Sequence, residues 1–227
     1  MSIKAGPRIV TDGLVFDLDA AVSRSYSGSG NTTYNLITGI GVSLVNGVGF
    51  SSLNNGSFVF DGNDDYAYSA FPVSNNSDFS IIFWLNYQDV TNSDRGLVAT
   101  WDAGWNGFGI GTYQGNIRSW VNDGASGGIN WAGITTNTWK HYSLSYIFSA
   151  KTQYVYIDGV FLNSEFRNTT VTHSTLQIGR GGQNGNQQLT YYPHLKCQIS
   201  QLTIYNRSLS AQEILQNFNA TKGRYLL

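Results

Sequence analysis

Cysteine is almost absent from this chain. One stands in 227 residues, so no disulfide can form within it, which fits folding in a reducing compartment. That residue, Cys197, reads as a small packing side chain and not as a nucleophile. Charge is also scarce, at 12% of residues against about 25% in an average domain. The formal net charge is −1 and no basic cluster occurs, so nucleic acid is not an expected partner. No apolar run approaches the roughly 18 residues needed to span a membrane, and none is expected to be bound. The opening MSIKAGPRIVTDG lacks the apolar stretch of a secretory signal. Glutamate is nearly missing: Glu165 and Glu213 are the only two. Glycoside hydrolysis needs two carboxyls across the scissile bond, so the shortage argues against an enzyme of that kind. The three histidines, His141, His173 and His194, show no metal-ligand spacing.

Glycine and aromatic residues are plentiful, with 26 Gly and 14% Phe, Trp and Tyr. The polar surface must therefore come mostly from Asn, Ser, Thr, Gln and Gly. Such a surface suits neutral polar partners such as sugars, or close-packed protein assemblies, where desolvating charges would be costly. No linker or charge run divides the chain, and its length suits one β domain over residues 1–227 with a core that needs no disulfide or metal.

The pattern is short strands and turns. Residues 13–19 alternate, placing Leu14, Phe16 and Leu18 on one face and Val15, Asp17 and Asp19 on the other. Residues 31–41 read as loop. Strands follow at 42–50, 57–60 and 65–70. Residues 79–87 (FSIIFWLNY) are apolar on both faces, as a central strand covered on both sides should be. Further strands are expected at 97–100, 108–113, 116–121, 139–148, 153–157, 160–163, 174–178 and 198–205. Gln114-Gly115 and Asp158-Gly159 are tight hairpin turns, the second an Asp-Gly pair that favours positive φ. Strands this closely spaced, without helices between them, argue for an antiparallel β-sandwich or jelly roll. One helix is expected: Ser210 to Glu213 forms a capping box, and Ile214, Leu215 and Phe218 supply an apolar stripe.

The ordered set GLVFDLDA (13–20), SFVFDGNDDYAYS (57–69), FSIIFWLNY (79–87), WKHYSLSY (139–146), VYIDGVFLNS (155–164), LQIGRGG (176–182) and ISQLTIYNRSLSAQEI (199–214) resembles the concanavalin A-like lectin/glucanase superfamily, in its laminin G-like branch. The resemblance implies a concanavalin A-like jelly roll closed by one short C-terminal helix. The stretch from Lys4 to Gly30 resembles the start of structural proteins of tailed bacteriophages. It implies a virion component made in the host cytoplasm, with other virion proteins as partners; the exposed edge strands of a low-charge sandwich add the expectation of an oligomer or lattice. Many members place an Asp just after the Ile of the closing segment, where it helps hold a structural calcium. Ser200 and Gln201 stand there instead, which speaks against that ion, and no cofactor is expected.

Several motifs invite chemistry. Asp17 and Asp19 share a strand face and could substitute for the missing carboxylate pair, the plainer reading being a solvated face. Gly124 to Gly128 matches Gly-x-Ser-x-Gly, which needs a strand before it and a helix after it, and INWAGITT after it is not helical. Asp61-Gly-Asn63-Asp-Asp65 is like the first half of a calcium loop but lacks the Gly and Glu that complete one, so a turn is the better reading. The remaining candidate is Trp101, Asp102, Trp105 and Asn106 between two strands, with Tyr113 on the next. Aromatic faces that stack on a pyranose and side chains that bind hydroxyls make a carbohydrate site. The plainer reading is that one or both Trp close the end of the core, where Trp84 and Trp139 are also expected.

The expected function is thus non-enzymatic: a phage virion protein of head, tail or fibre that touches cell-surface glycans. The alternatives are a free carbohydrate-binding lectin and an atypical glycoside hydrolase.

Overall fold

The computed structural model describes residues 7–89, 94–100, 107–121, 128–166, 171, 175–181, 183–184, 187–188 and 193–225. In chain order the strands begin with β1 (Leu14–Asp19), β2 (Thr32–Tyr34), β3 (Gly41–Val45), β4 (Gly49–Ser51), β5 (Ser57–Asp61) and β6 (Tyr66–Ala70). Next come β7 (Phe79–Tyr87), β8 (Arg95–Ala99), β9 (Phe108–Tyr113), β10 (Asn116–Val121), β11 (Ile129–Gly133) and β12 (Trp139–Ile147). The last are β13 (Thr152–Ile157), β14 (Val160–Phe166), β15 (Thr175–Ile178), β16 (Gln183–Asn184), β17 (Gln187–Gln188) and β18 (Lys196–Tyr205), followed by helix α1 (Ala211–Thr221).

Two eight-stranded antiparallel sheets face each other. The first runs β14-β13-β12-β7-β18-β5-β4, with β1 on the same edge of β18 beyond β5. The second runs β11-β10-β9-β8-β15-β6-β3-β2. Alternate residues of both sheets meet in one core. Phe79, Ile81, Phe83, Leu85 and Tyr87 of β7 lie there with Val42, Leu44, Leu176, Phe108 and Ile110 from the opposite sheet. Central placement of β7 explains why it is apolar on both faces: Ile82 and Trp84 point the other way, under the helix.

Helix α1 and the turn after it cover the outward face of the first sheet. The capping box forms as expected, Glu213 N–H donating to Ser210 Oγ while the Glu213 carboxylate accepts from Ser210 N–H. Phe218 and Tyr225 stack on Trp84, with ring centroids 5.9 and 4.0 Å away. Trp84 and Trp139 are therefore buried as expected, but beneath this C-terminal segment and not between the sheets. The helix stripe differs from expectation: Leu215 is 42% exposed while Asn217 is buried. Asn217 closes a polar triangle, accepting from Val10 N–H and donating to the Tyr205 hydroxyl, which in turn donates to Val10 O. Buried polar groups that satisfy one another replace an apolar contact here.

Other departures have local causes. The stretch 42–50 is two strands in different sheets, because Asn46 and Gly47 adopt φ of 65° and 108° and turn the chain between them. Residues 32–34, expected as loop, form β2 at the edge of the second sheet, and β11 and the β16–β17 hairpin were not expected either. A register shift between Leu14 and Phe16 puts Leu14 on the helix side while Phe16 and Leu18 enter the core. A second shift around Ser200 reverses the alternation of β18 in the same way. A bulge adds one residue and so flips every later side chain to the other face.

Candidate functional site

Among the described residues no helix lies on the outward side of the second sheet, although its centre is buried, with Ala99, Gln177 and Trp120 at 0%, 1% and 7% exposure. Strand register fixes what it carries. Thr32, Ser43, Tyr68, Gln177, Ala99, Gly109 and Trp120 are paired in succession across seven strands. Their chain neighbours Val42, Leu44, Ala67, Leu176, Ile178, Phe108 and Ile110 point inward, so this row lies outside. Small residues make the floor, and aromatic side chains rise from it. Tyr68 is 42% exposed, and Tyr34, on the edge strand, 47%.

One end of this face is built from β9 and β10. Tyr113 and Trp120 meet edge to face with centroids 6.3 Å apart. The Arg118 guanidinium carbon lies 4.6 Å from the Tyr113 ring centre and 5.5 Å from that of Trp120, a cation–π arrangement that fixes a long side chain. Gly128 closes over it: a Cβ there would stand 2.7 Å from Arg118 Nε and 2.9 Å from Trp120 Cδ1. Beside Arg118 the pairing runs to Gly111 and then Gly96. On Gly96 the Gly181 backbone sits so closely that a Cβ would come within 1.7 Å of its nitrogen.

The middle of the face holds a second arginine. Arg180 is 5% exposed, with its guanidinium carbon 3.3 Å from the Tyr66 ring centre and its Nε donating to Gln177 Oε1 at 3.0 Å. His194 lies 6.0 Å from Tyr66. Burial, and then the nearby Arg180 charge, hold its pKa below the ordinary histidine range. At the far edge Arg24, Tyr34, Ile37 and Thr38 line an open groove of about 450 Å³.

Of the expected site residues, Trp101, Asp102, Trp105 and Asn106 lie outside the described residues. Tyr113 is partly exposed on this face. Tyr34, Tyr66, Tyr68, Arg118, Trp120, Gln177 and Arg180 were missed by sequence reasoning. Period-two alternation was a usable signal for Tyr66 and Tyr68, but nothing local says that 34, 68, 118 and 177 share a face.

Where they are described, the other candidate side chains engage neighbouring groups of the chain. Asp17 is 7% exposed and not solvated: the helix side of β1 is covered, and Gln201 Nε2 donates to its carboxylate. Burial raises its pKa to about 6. Arg224 Nη1 reaches both oxygens of Asp19 at 2.9 Å. The Ser200 hydroxyl contacts that of Tyr225. Asp61, Asp64 and Asp65 gather within 4.8 Å, yet both Asp61 oxygens accept from Asn63 and Asp65 accepts from Asp61 N–H. These hydrogen bonds lie within the turn between β5 and β6. The residues after the Gly124–Gly128 match form strand β11 and not a helix, while most of the match lies outside the described residues. His141 is buried edge-on to Trp84, and burial pulls its pKa to about 3. Cys197 is fully buried, which pushes its thiol pKa up.

A family model described as the concanavalin A-like lectin/glucanases superfamily matches residues 61–215. The chain belongs to this superfamily. No curated protein matches it in sequence. Among solved structures, the binding domain of Paraclostridial Mosquitocidal Protein 1 is similar, with TM-score 0.72 and 19% identity over 92% of this chain and 52% of that one. The botulinum neurotoxin serotype D ligand-binding domain in complex with N-acetylneuraminic acid has TM-score 0.70 and 14% identity over 91% and 50%. Trypanosoma rangeli sialidase in complex with sialic acid has TM-score 0.70 and 16% identity over 97% and 36%. At these identities the likeness is one of fold, and this superfamily member spans about half the length of the two toxin domains.

Proposed function

We propose that this chain is a non-catalytic glycan-binding module that uses the outward face of its second sheet. The observation that carries the proposal is the set of rings on the side of the sandwich away from the helix: Tyr34, Tyr68 and Tyr113 are partly or largely exposed along the second sheet. Exposed rings on a rigid sheet stack on the apolar faces of sugars, and the neighbouring Thr32 and Ser43 side chains supply hydroxyl partners. Two of the similar structures are complexes with a sialic acid, which supports this class of ligand. The absence of catalysis is part of the proposal. Glu165 accepts from Gln153, Glu213 is held by Arg207, and Asp17 and Asp19 are engaged with Gln201 and Arg224. A glycan array tests the reading: hits should weaken about tenfold in Tyr68→Ala and Tyr113→Ala. An array without hits would sink it, and reducing sugar released by the native chain but not by Asp17→Asn would make it an enzyme.

We further propose that the module serves in a virion, made in the host cytoplasm and docked on other virion proteins. The resemblance of residues 4–30 to phage structural proteins supports this. So does strand β14, a sheet edge on which Val160 and Phe166 are 67% and 64% exposed; exposed apolar edges call for a covering partner. Mass spectrometry of purified particles should find the chain in stoichiometric copies, and its absence there would refute the assignment.

A further inference from the structure

Arg118 stands out among the cations of this fold. Arg95, Lys140, Arg207 and Arg224 each reach a carboxylate at 2.6–3.1 Å. Arg118 reaches none among the described residues and makes no hydrogen bond with any of them. Its Nε is buried without an acceptor. The side chain is nevertheless immobilised, lying against the Tyr113 and Trp120 rings under Gly128. A free arginine usually stays in water on a mobile stem. Here aromatic packing holds the guanidinium at a partly exposed position, with its Nε lacking an acceptor. Arg180, further along the same face, repeats the arrangement: it stacks on Tyr66 and its Nη2 is buried without an acceptor. In a chain with this little charge, two arginines outside any ion pair among the described residues lie on one sheet face.

Resting on the glycan-binding reading, we propose that the ligand of this face is an acidic glycan, and that Arg118 receives its carboxylate or sulfate group. A planar guanidinium matches either oxyanion, donating two parallel N–H hydrogen bonds to it. The Tyr113 ring beside it supplies the stacking platform for the sugar that bears the group. Arg180 adds long-range attraction from the middle of the face without having to touch the ligand.

The test uses the full chain and matched probes on one oligosaccharide backbone: a uronic or sialic acid form, its methyl ester, a sulfated form and the neutral parent. Calorimetry should give the acid at least about tenfold tighter binding than its ester, as the loss of a charge-assisted hydrogen bond implies. That preference should shrink as salt rises. Arg118→Gln should abolish it while Arg118→Lys keeps part of it, with thermal melts showing both variants folded. Preference for the carboxylate form, the sulfated form or both identifies the source of the anion. Equal binding of neutral parent and acid would overturn the inference and leave the glycan reading standing. So would a preference unchanged in folded Arg118→Gln. Should Arg118→Gln fail to fold, the acid-to-ester ratio of the unaltered chain decides by itself. If no probe binds, the glycan reading and this inference fall together.

Discussion

Asp17 gives the sharpest quantitative test of the fold. Its carboxyl is buried between β1, β18 and the C-terminal segment, and its pKa stands at about 6 against an ordinary 3.8. Burial is the largest cause, and the hydrogen bond from Gln201 only partly offsets it. The sign follows from linkage. Between pH 3.8 and 6 the unfolded chain has already released this proton while the folded chain still holds it, so stability falls as pH rises through that window. The difference of about two pH units corresponds to at most about 3 kcal/mol, fully expressed above pH 7. Asp17→Asn should remove that penalty, since an amide fills the same space and its oxygen can still accept from Gln201. His141 acts in the opposite sense over an overlapping range, so the raw pH profile of the native protein will mask the effect. The quantity to measure is the difference between variant and native unfolding free energies. Urea titrations at pH 4, 5, 6 and 7.5, followed by tryptophan fluorescence, provide it. The difference should rise from near its acid value to a plateau up to about 3 kcal/mol higher. A difference that is flat with pH, or that moves against Asp17→Asn as pH rises, would refute the assignment of a buried, protonatable Asp17.

Two further predictions concern stability and ionisation. The imidazole of His141, with its pKa near 3 because it is buried, should show no NMR titration between pH 8 and 5, and a midpoint above 5 would contradict its packing. Because its folded pKa is depressed below the ordinary 6.5, its contribution to stability is present above pH 6.5 and lost as the pH falls from there toward 3. Gly96→Ala forces a Cβ into the Gly181 backbone; a loss of at least 1–3 kcal/mol is expected for such overpacking, and a melting temperature unchanged from native would show that β8 and the 180–181 segment are not packed as described.

Much of the fold was legible along the chain. The nine-residue run 79–87 and the Asp158-Gly159 turn declare themselves through local chemistry, since an unbroken β-branched and aromatic run and positive φ are properties of a few neighbouring residues. The capping box at Ser210 is equally local. The site was less legible. Tyr113 was found because an aromatic residue followed a Trp-rich loop, whereas Arg118 looks in sequence like any polar position on an alternating strand. Only its lodging against Tyr113 and Trp120, with Gly128 above it, makes it distinctive, and those contacts bridge strands.

By itself the sequence determined that this chain is a cysteine-poor, weakly charged antiparallel sandwich with one capped helix, because hydrophobic period and turn chemistry act over a few residues. The tertiary structure decided which face each strand turns inward. Single-residue bulges before Phe16 and at Ser200 reverse the alternation without changing composition, and so place Leu14 under the helix. It also decided that Asp17 and Asn217 are buried while Leu215 is not, since burial depends on what crosses overhead. And it alone joined residues 34, 68, 113, 118 and 177 on one sheet face, because strand order in space is set by long-range pairing that no local pattern encodes.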